Sequence, residues 1–488
     1  MGSPVLRRSI FSGFAWQGAT KLVVQLTSWA ATLFVARIIA PSDYGIVAAA
    51  GVSVELIVLV TDMGLAQGLI QKAQTSTQEE DGVFYVSLAL GIAGYLLLYL
   101  AAPMIAGFYR MPVLSELLRL IGLGIVLGSL KTVPLAIAMR RMNFRYRSLV
   151  EMGASLAMTL TVVALALTGF GVWSLAWGPV VLHAVMAVGF LPLLGRWPKP
   201  VFSIGDVMTT IGFGIKFMGS TLLYYGWSRA DVMVIGKMLG ERLLGYYSMA
   251  FQLAVLPLDK IATIFNQVMF PALSRLQEDR LESSALFLQM HRYLLLISFP
   301  LLFGLAVVAE EAILLLLTAK WLPIVPLFRA LCLVSSLRLS ATLMPPVLYA
   351  RGKPELVLRY NALALLGLPV AFLLGARFGL GGVIGAWLLA YPLLYVYLGR
   401  QCLQELKLGW HDLAWSALPA VLAAAVMVGA VLVFRQLVAD AGPWWRLAGS
   451  IAVGAAAYLG VLILLFRRHV TALKSQLLQL RRGEAFNG

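Results

Sequence analysis

Polar and ionisable side chains recur at helical spacing inside four otherwise apolar stretches of this chain. Steps of three, four and seven residues place each set on one face of a helix. Such groups can bind an anion, exchange a proton or bind a cation. The sets are Gln17, Lys21, Gln25 and Ser28; Glu55 and Asp62; Lys216, Ser220, Tyr224, Ser228 and Asp231; and Ser248, Gln252, Asp259 and Asn266.

The elements that carry these sets are predicted to be membrane helices. Of the 488 residues, 60% are apolar and only 12% are charged, whereas soluble proteins have roughly 25% charged residues. A charge at bilayer depth costs about 2.5 to 3.5 kcal/mol on insertion scales, so the polar faces must avoid lipid. The pattern therefore predicts an integral membrane protein with a hydrated central cavity.

Apolar runs separated by charged, proline or glycine residues predict about fourteen transmembrane helices, since a helix needs about 20 apolar residues to cross a bilayer. The first run contains Gln17 and Lys21 and is too long for a cleaved signal peptide. Lysines and arginines concentrate on the side of the membrane that holds both ends of the chain, which predicts cytoplasmic termini. We expect helices near 11–39, 44–66, 82–107, 113–138, 149–169, 172–194, 207–237, 245–272, 286–309, 324–349, 356–376, 380–399, 411–434 and 445–466.

An internal repeat relates the first six helices to the next six. VARIIAPSDYG at 35–45 matches IGKMLGERLLG at 235–245, and three later landmarks follow in order: Arg119 with Arg329, Arg140 with Arg351, and Gly171 with Gly382. An even number of helices per repeat gives two lobes of equal orientation, related by an axis along the membrane normal. We expect six-helix lobes at 1–200 and 201–405, two additional transmembrane helices at 406–466, and a basic cytoplasmic tail at 467–488.

The chain has no motif for a cofactor or for catalysis. No Gly-rich loop for ATP occurs, and the two cysteines, Cys332 and Cys402, have no metal-binding spacing. The four histidines are scattered at positions 183, 291, 411 and 469. We therefore expect no catalytic residues, no metal and no cofactor. The net charge of +16 is explained by topology without a nucleic acid partner.

Six stretches in order resemble one family. They are LFVARIIAPSDYGIVAAA, TDMGLAQGLIQK, VPLAIAMRRMNFRYRSLVE, TGFGVWSLAWG, SRADVMVIGKMLG followed by LGYYSMAFQLAVLPLDKI, and FPALSRLQED. They resemble the polysaccharide (oligosaccharidyl-lipid) flippases of the multidrug/oligosaccharidyl-lipid/polysaccharide (MOP) superfamily, in the bacterial exopolysaccharide and O-antigen repeat-unit group.

This resemblance implies translocation of an undecaprenyl-diphosphate-linked oligosaccharide from the inner to the outer leaflet of the bacterial inner membrane, by ion-coupled or potential-driven alternating access. It also implies a polymerase and a chain-length regulator of the same pathway as partners. Two alternatives stay open: a cation-coupled drug or small-molecule exporter of the same superfamily, and a membrane glycosyltransferase or polymerase. The polymerase needs a long catalytic loop, and the longest connection between predicted helices is too short for one.

The substrate that the resemblance implies assigns roles to the interior residues. A lipid diphosphate needs interior cations, and the sugars need a hydrated groove. The candidates for binding are Lys21, Lys216, Arg229, Lys131, Gln17, Gln25 and Tyr224, and those for ion coupling are Glu55, Asp62, Asp231 and Asp259. Lys21 and Lys216 have an alternative role as lysines that reach the headgroups. The alternative role of Glu55 is in a structural ion pair, and that of Asp259 is in a local pair with Lys260.

Overall fold

The computed structural model describes residues 24–62, 64–71, 75–141, 143–200, 219 and 221–466, and all regular elements in these ranges are helices. The chain divides into two compact units, Met1–Ser248 and Met249–Gly488. Eleven segments of the described residues are long and apolar enough to cross a membrane. The prediction of an all-α integral membrane protein is confirmed. The count of fourteen helices stays a prediction, because the first and seventh lie partly outside the described residues.

The first unit contains helices α1 to α9 and the start of α10. Its central contacts join α4 to α5, α6 to α7 and α5 to α7, around a core that includes Leu65, Phe84 and Val133. The helices are α1 (24–38), α2 (Pro41–Asp62), α3 (Leu65–Gln71), α4 (Thr77–Tyr109), α5 (Val113–Arg140), α6 (Phe144–Leu167), α7 (Val172–Phe190), α8 (221–228), α9 (Ala230–Leu239) and α10 (Glu241–Arg275), with a 3-10 turn at Leu191–Leu194.

The second unit contains most of α10 and all later helices. Its strongest contacts join α15 to α16, α17 to α18 and α11 to α17, with Tyr293, Met427 and Tyr458 in a shared core. The helices are α11 (Arg280–Val307), α12 (Ala309–Leu316), α13 (Val325–Ala341), α14 (Met344–Ala350), α15 (Pro354–Ala376), α16 (Gly379–Leu406), α17 (Trp410–Leu437) and α18 (Pro443–Leu465), with a 3-10 turn at Ala319–Ile324.

The acidic segment before the third predicted helix is part of that helix. α4 begins at Thr77 rather than near 82, because the Ser76 side chain accepts a hydrogen bond from the backbone N–H of Glu79 and caps the helix. Asp81 is buried and lies 2.7 Å from Nη2 of Arg196. The acidic residues therefore stabilise the helix N-terminus, and Glu80 and Asp81 pair with Arg140 and Arg196.

Equivalent contacts recur in the two units. Arg140 donates to Thr75, which lies between the second and third predicted helices. Arg351, its counterpart in the sequence repeat, donates to the backbone carbonyl of Gln277, between the eighth and ninth. In each unit, an arginine near the end of the fourth helix of the repeat therefore contacts the connection that precedes the third helix of the repeat. The recurrence supports the internal repeat.

Candidate functional site

The structure describes seven of the eleven predicted site residues in full. Gln17, Lys21 and Lys216 lie outside the described residues, and Asp259 lies in α10 at a position whose side chain is not described. The others are on the helices of the first unit. They are Gln25 (α1), Glu55 and Asp62 (α2), Lys131 (α5), Tyr224 (α8), Arg229 and Asp231 (at the start of α9).

Glu55 and Arg229 form an ion pair between α2 and the seventh predicted helix. Nη2 of Arg229 lies 3.0 Å from Oε2 and 3.3 Å from Oε1 of Glu55. The side chains are 37% and 50% exposed for Arg229 and Glu55, respectively. Because charges at bilayer depth avoid lipid, this exposed side is suited to a water-filled space. The sequence identified both residues but did not predict that they pair.

The seventh predicted helix departs from helical backbone geometry at Arg229, while its hydrogen bonds continue: Arg229 N–H donates to the carbonyl of Tyr225 at 3.1 Å, and the Arg229 carbonyl accepts from Met233 N–H at 3.2 Å. α8 ends at 228, Arg229 adopts a turn conformation with φ of −116° and ψ of 1°, and α9 begins at Ala230. One turn before Arg229, the hydroxyl of Tyr225 donates to the backbone carbonyl of Val52 in α2, at 2.5 Å. Tyr225 and Arg229, which are one helical turn apart, therefore both attach this helix to α2.

Asp231 is a buried anchor in the first turn of α9. It is 1% exposed, accepts a hydrogen bond from the hydroxyl of Tyr247 and accepts a second from the backbone N–H of Val232 at 2.7 Å. A carboxylate at this position is also favoured by the helix dipole. Both oxygens of Asp231 are thus engaged inside the protein.

Lys131 is a cation whose close partners are uncharged. Its Nζ lies 3.2 Å from Nδ1 of His183 and 3.3 Å from Sδ of Met186, both on α7. Since an ammonium can only donate, Nδ1 accepts and the proton of the neutral imidazole is on Nε2. Asp62 and Glu151 act on the charge of Lys131 over a longer range. Within the described residues Lys131 has no carboxylate at ion-pair distance.

The remaining predicted residues lie on the surfaces of their helices. Tyr224 is exposed and packs edge-to-face against Trp227, with ring centroids 5.2 Å apart. Gln25 is partly exposed on α1, and Asp62 is exposed at the end of α2. The structure brings Lys131 and Asp62 into electrostatic range of each other, and it joins Glu55 to Arg229 as a separate pair.

Sequence reasoning missed three residues of these clusters. His183 is one of four histidines scattered along the sequence, and Met186 and Tyr225 match no motif. A histidine and a methionine three residues apart lie on one face of α7, but nothing in their spacing indicates that α5 presents a lysine to them. The hydroxyl of Tyr225 is at helical spacing from Arg229, which was the available signal.

At the N-terminal end of α2, four helices contact one another through small residues, backbone groups and aromatic rings. Gly45 of α2 packs against Gly245 of α10. Lys237 of α9 donates to the backbone carbonyl of Phe108 at 2.7 Å, and its ammonium lies 4.6 Å from the centroid of that ring. Gly236 faces Tyr109. The start of α2, the end of α4, the end of α9 and the start of α10 are therefore packed together. This contact lies at the end of α9 opposite to Arg229.

Similar solved structures establish the class of fold. The lipid II flippase MurJ in an inward closed conformation aligns with a TM-score of 0.74 over 93% of this chain and 99% of that chain, at 14% identity. A multidrug resistance MATE family transporter of the MOP superfamily, in an inward-facing conformation, aligns with a TM-score of 0.59 over 81% and 94%, also at 14% identity. The chain has the all-α fold of these membrane transporters.

The sequence defines the family within this class. The profile of the family described as polysaccharide biosynthesis protein matches residues 34–326, more than half of the chain, so the protein belongs to this family. It is 25% identical to the lipopolysaccharide biosynthesis protein WzxC of Escherichia coli (strain K12) over 78% of each chain. It is 29% identical to the succinoglycan biosynthesis transport protein ExoT of Rhizobium meliloti (strain 1021), over 65% of this chain and 64% of that one.

Proposed function

We propose that this protein transfers an oligosaccharide linked to a polyprenyl diphosphate from the inner to the outer leaflet of the bacterial inner membrane, with both termini in the cytoplasm. Support comes from the family and from the names of similar proteins, which include a transport protein of succinoglycan biosynthesis and a lipid II flippase. Such a substrate combines an apolar chain, an anionic diphosphate and sugars that cannot cross hydrocarbon unaided.

Lys131 is the observation that carries this proposal. An ammonium inside an apolar helix is costly, and here the groups in direct contact with it are an imidazole nitrogen and a thioether. At an effective dielectric of ~20, an anion 4 Å away contributes about 4 kcal/mol before desolvation. A phosphate group supplies the charge that the close contacts of Lys131 lack, and Arg229, Lys21 and Lys216 are further cations for the same headgroup.

The state of the carboxylates favours an anionic substrate over a cationic one. A cation exporter needs carboxylates that are available to its substrate. Glu55 is paired with Arg229, and both oxygens of Asp231 already accept hydrogen bonds. These two residues are therefore better suited to holding the helices than to binding a cation.

Ion coupling belongs to the same proposal. Glu55 and Arg229 connect α2 with the seventh predicted helix, and an ionisable residue within a membrane helix is a candidate for exchanging a proton or a cation. Protonation of Glu55 removes its half of the ion pair and loosens α2 from Arg229. Asp62, near Lys131, is the second candidate for coupling. The lobes at 1–200 and 201–405 then alternate access to the substrate site.

The deciding experiment removes the gene and follows the lipid-linked repeat units. Cells that lack the protein are expected to accumulate these units on the cytoplasmic face of the inner membrane, and re-expression is expected to restore export. Unchanged export and no accumulation in the deletion strain would contradict the proposal. An accumulation of drugs or organic cations instead would favour the exporter.

A pair of variants on one helix tests the role of Lys131. Lys131→Gln is expected to reduce export at least tenfold, because the headgroup loses a cation. Arg119→Gln is the matched control on α5, since Arg119 stacks on Tyr99 at 4.5 Å near the start of the helix. Export is compared at equal membrane abundance. Equal export by the two variants would remove Lys131 from the site.

A further inference from the structure

Arg338 lies between two aromatic rings inside the second unit. It is in the last turn of α13. The Cζ atom of its guanidinium is 5.0 Å from the ring centroid of Trp387 on α16 and 5.2 Å from that of Phe251 on α10. Both distances are within the range of a cation–π interaction. Both rings therefore contact the guanidinium.

The ring of Trp387 is held in place by its neighbours. Trp387 is fully buried, and its ring packs on Phe372 of α15, with centroids 5.0 Å apart, and on Tyr391, at 5.7 Å. A side chain held on both sides has few rotamers left to lose when a ligand binds, so the position of Arg338 is set in advance.

One nitrogen of the guanidinium lacks an acceptor within the part of the chain that the structure describes. Among these residues Nη1 of Arg338 is buried and has no hydrogen-bond partner. A buried donor without an acceptor destabilises the structure, and more so when the group is charged. The aromatic rings offset part of the charge but accept no conventional hydrogen bond. The residue as a whole is partly exposed, whereas Nη1 itself is covered, so a ligand reaches Nη1 after a local rearrangement of its surroundings.

We infer that Arg338 binds an oxyanion of the transported molecule. A planar guanidinium is matched to the two oxygens of a phosphate or a carboxylate, and such a group supplies the missing acceptor. The inference rests on the proposed function, because the substrate considered there carries such groups. Two sources share this chemistry: the diphosphate of the lipid carrier and the carboxylate of an acidic sugar.

The test uses the full-length protein in nanodiscs of zwitterionic phosphatidylcholine, which supply no net anionic lipid. Geranylgeranyl diphosphate represents the lipid headgroup and a glucuronate-containing disaccharide represents the acidic sugar, and binding is measured by calorimetry. Arg338→Gln is expected to weaken binding of one probe at least tenfold. Arg338→Lys is expected to keep part of the affinity, since the charge remains but the planar fork is lost. The affected probe identifies the source of the anion.

Arg329→Gln is the matched control, nine residues earlier on the same helix. Arg329 donates through Nε to the backbone carbonyl of Ala306 at 3.1 Å, so its loss is expected to leave both affinities unchanged. Ligand-induced thermal stabilisation of each variant separates a binding defect from a folding defect. If Arg338→Gln does not fold, the comparison of Arg338→Lys with the native protein decides.

Equal affinities of the native protein and the Arg338 variants for both probes would overturn the inference, as would a native protein that binds neither probe. The proposed function fails by a different measurement, namely normal export in the deletion strain. A protein with Arg338-dependent binding of a probe and no effect on repeat-unit export would keep the anion site and lose the flippase assignment.

Discussion

Gly45 of α2 and Gly245 of α10 meet backbone to backbone, and each occupies a place where no side chain fits. A Cβ atom on Gly45 would lie 2.9 Å from the backbone nitrogen of Gly245 and would overlap the carbonyl oxygen of Glu241. A Cβ atom on Gly245 would lie 3.1 Å from the nitrogen of Gly45 and would overlap the carbonyl oxygen of Pro41. The contact is reciprocal, and the sequence repeat relates its two residues.

We predict that Gly45→Ala and Gly245→Ala each force α2 and α10 apart. Overpacking of this kind typically costs about 1 to 3 kcal/mol, and it exceeds the gain of about 0.5 to 1 kcal/mol from replacing a helical glycine by alanine. Both variants are expected to lower the thermal unfolding midpoint and to reduce export of repeat units.

Gly51→Ala is the control for this contact. Gly51 is on the same helix, and a Cβ atom there would have nothing within 4 Å. The helix propensity gain is the same, so Gly51→Ala is expected to be neutral or slightly stabilising. Similar unfolding midpoints for Gly45→Ala and Gly51→Ala would show that α2 and α10 separate without cost.

The sequence predicted the equivalence of Gly45 and Gly245 but not their contact. Matching of the two segments depends on residue order, which a repeat preserves. Contact depends on how the helices approach each other, and a glycine alone does not identify its neighbour. Some helix ends were predicted closely for the same reason, since apolar runs and punctuation are local. α15 ends at Ala376, as predicted, whereas α16 continues to Leu406, beyond the predicted 399.

The backbone geometry of the seventh helix at Arg229 illustrates what sequence patterns leave out. The segment around Arg229 contains no proline, and its polar residues at helical spacing predict one continuous helix through 237. In the structure the turn at Arg229 coincides with its ion pair to Glu55 and with the hydrogen bond from Tyr225 to Val52. These partners are more than 170 residues away, so local propensity carries no information about them.

Glu55→Gln is expected to keep the protein folded and to weaken the ion or pH dependence of transport. The pair with Arg229 is partly exposed, and exposed pairs contribute only about 0.2 to 1 kcal/mol. Glutamine keeps the shape but can neither lose a proton nor neutralise Arg229. The measurement is transport by the purified protein in liposomes, with imposed proton and sodium gradients. Full gradient dependence in Glu55→Gln would leave Glu55 with a structural role only.

Lys21 and Lys216 are predicted to bind the headgroup jointly, because they occupy matching polar faces of repeat-related helices. Lys→Ala at either position is expected to reduce export strongly, and Lys→Arg to retain part of it. A lysine that only reaches the headgroups tolerates alanine. Arg377→Ala, in a predicted outer connection, is the control at matched membrane abundance. Near-native export in both alanine variants would leave Arg229 and Lys131 as the cations of the site.

His291 is the centre of a buried hydrogen-bonded chain in the second unit. Ser416 donates to the backbone carbonyl of Leu413 at 2.7 Å, so its oxygen accepts from Nδ1 of His291, also at 2.7 Å. The neutral imidazole then accepts at Nε2 from Ser340 at 2.7 Å, and Ser340 accepts from Tyr395 at 2.8 Å. One direction of donation thus satisfies every member, and it connects α11, α13, α16 and α17.

His291→Ala is expected to destabilise the protein by about 2 to 5 kcal/mol. The variant removes the donor to Ser416 and the acceptor of Ser340, although Ser416 keeps its bond to the carbonyl of Leu413 and Ser340 keeps the one from Tyr395. A buried group that loses its partner costs about 1 to 3 kcal/mol, and the variant also creates a cavity where the ring stacks on Phe287. His291→Asn keeps one donor and one acceptor, so its stability is expected to lie between those of the native protein and His291→Ala. His411→Ala is the control, because His411 is exposed and contacts Trp415 edge-on. The thermal unfolding midpoints of the three variants, measured in the same detergent, give their order of stability. If His291→Ala unfolds at the same temperature as His411→Ala, the hydrogen-bonded chain does not hold α17 to the rest of the unit.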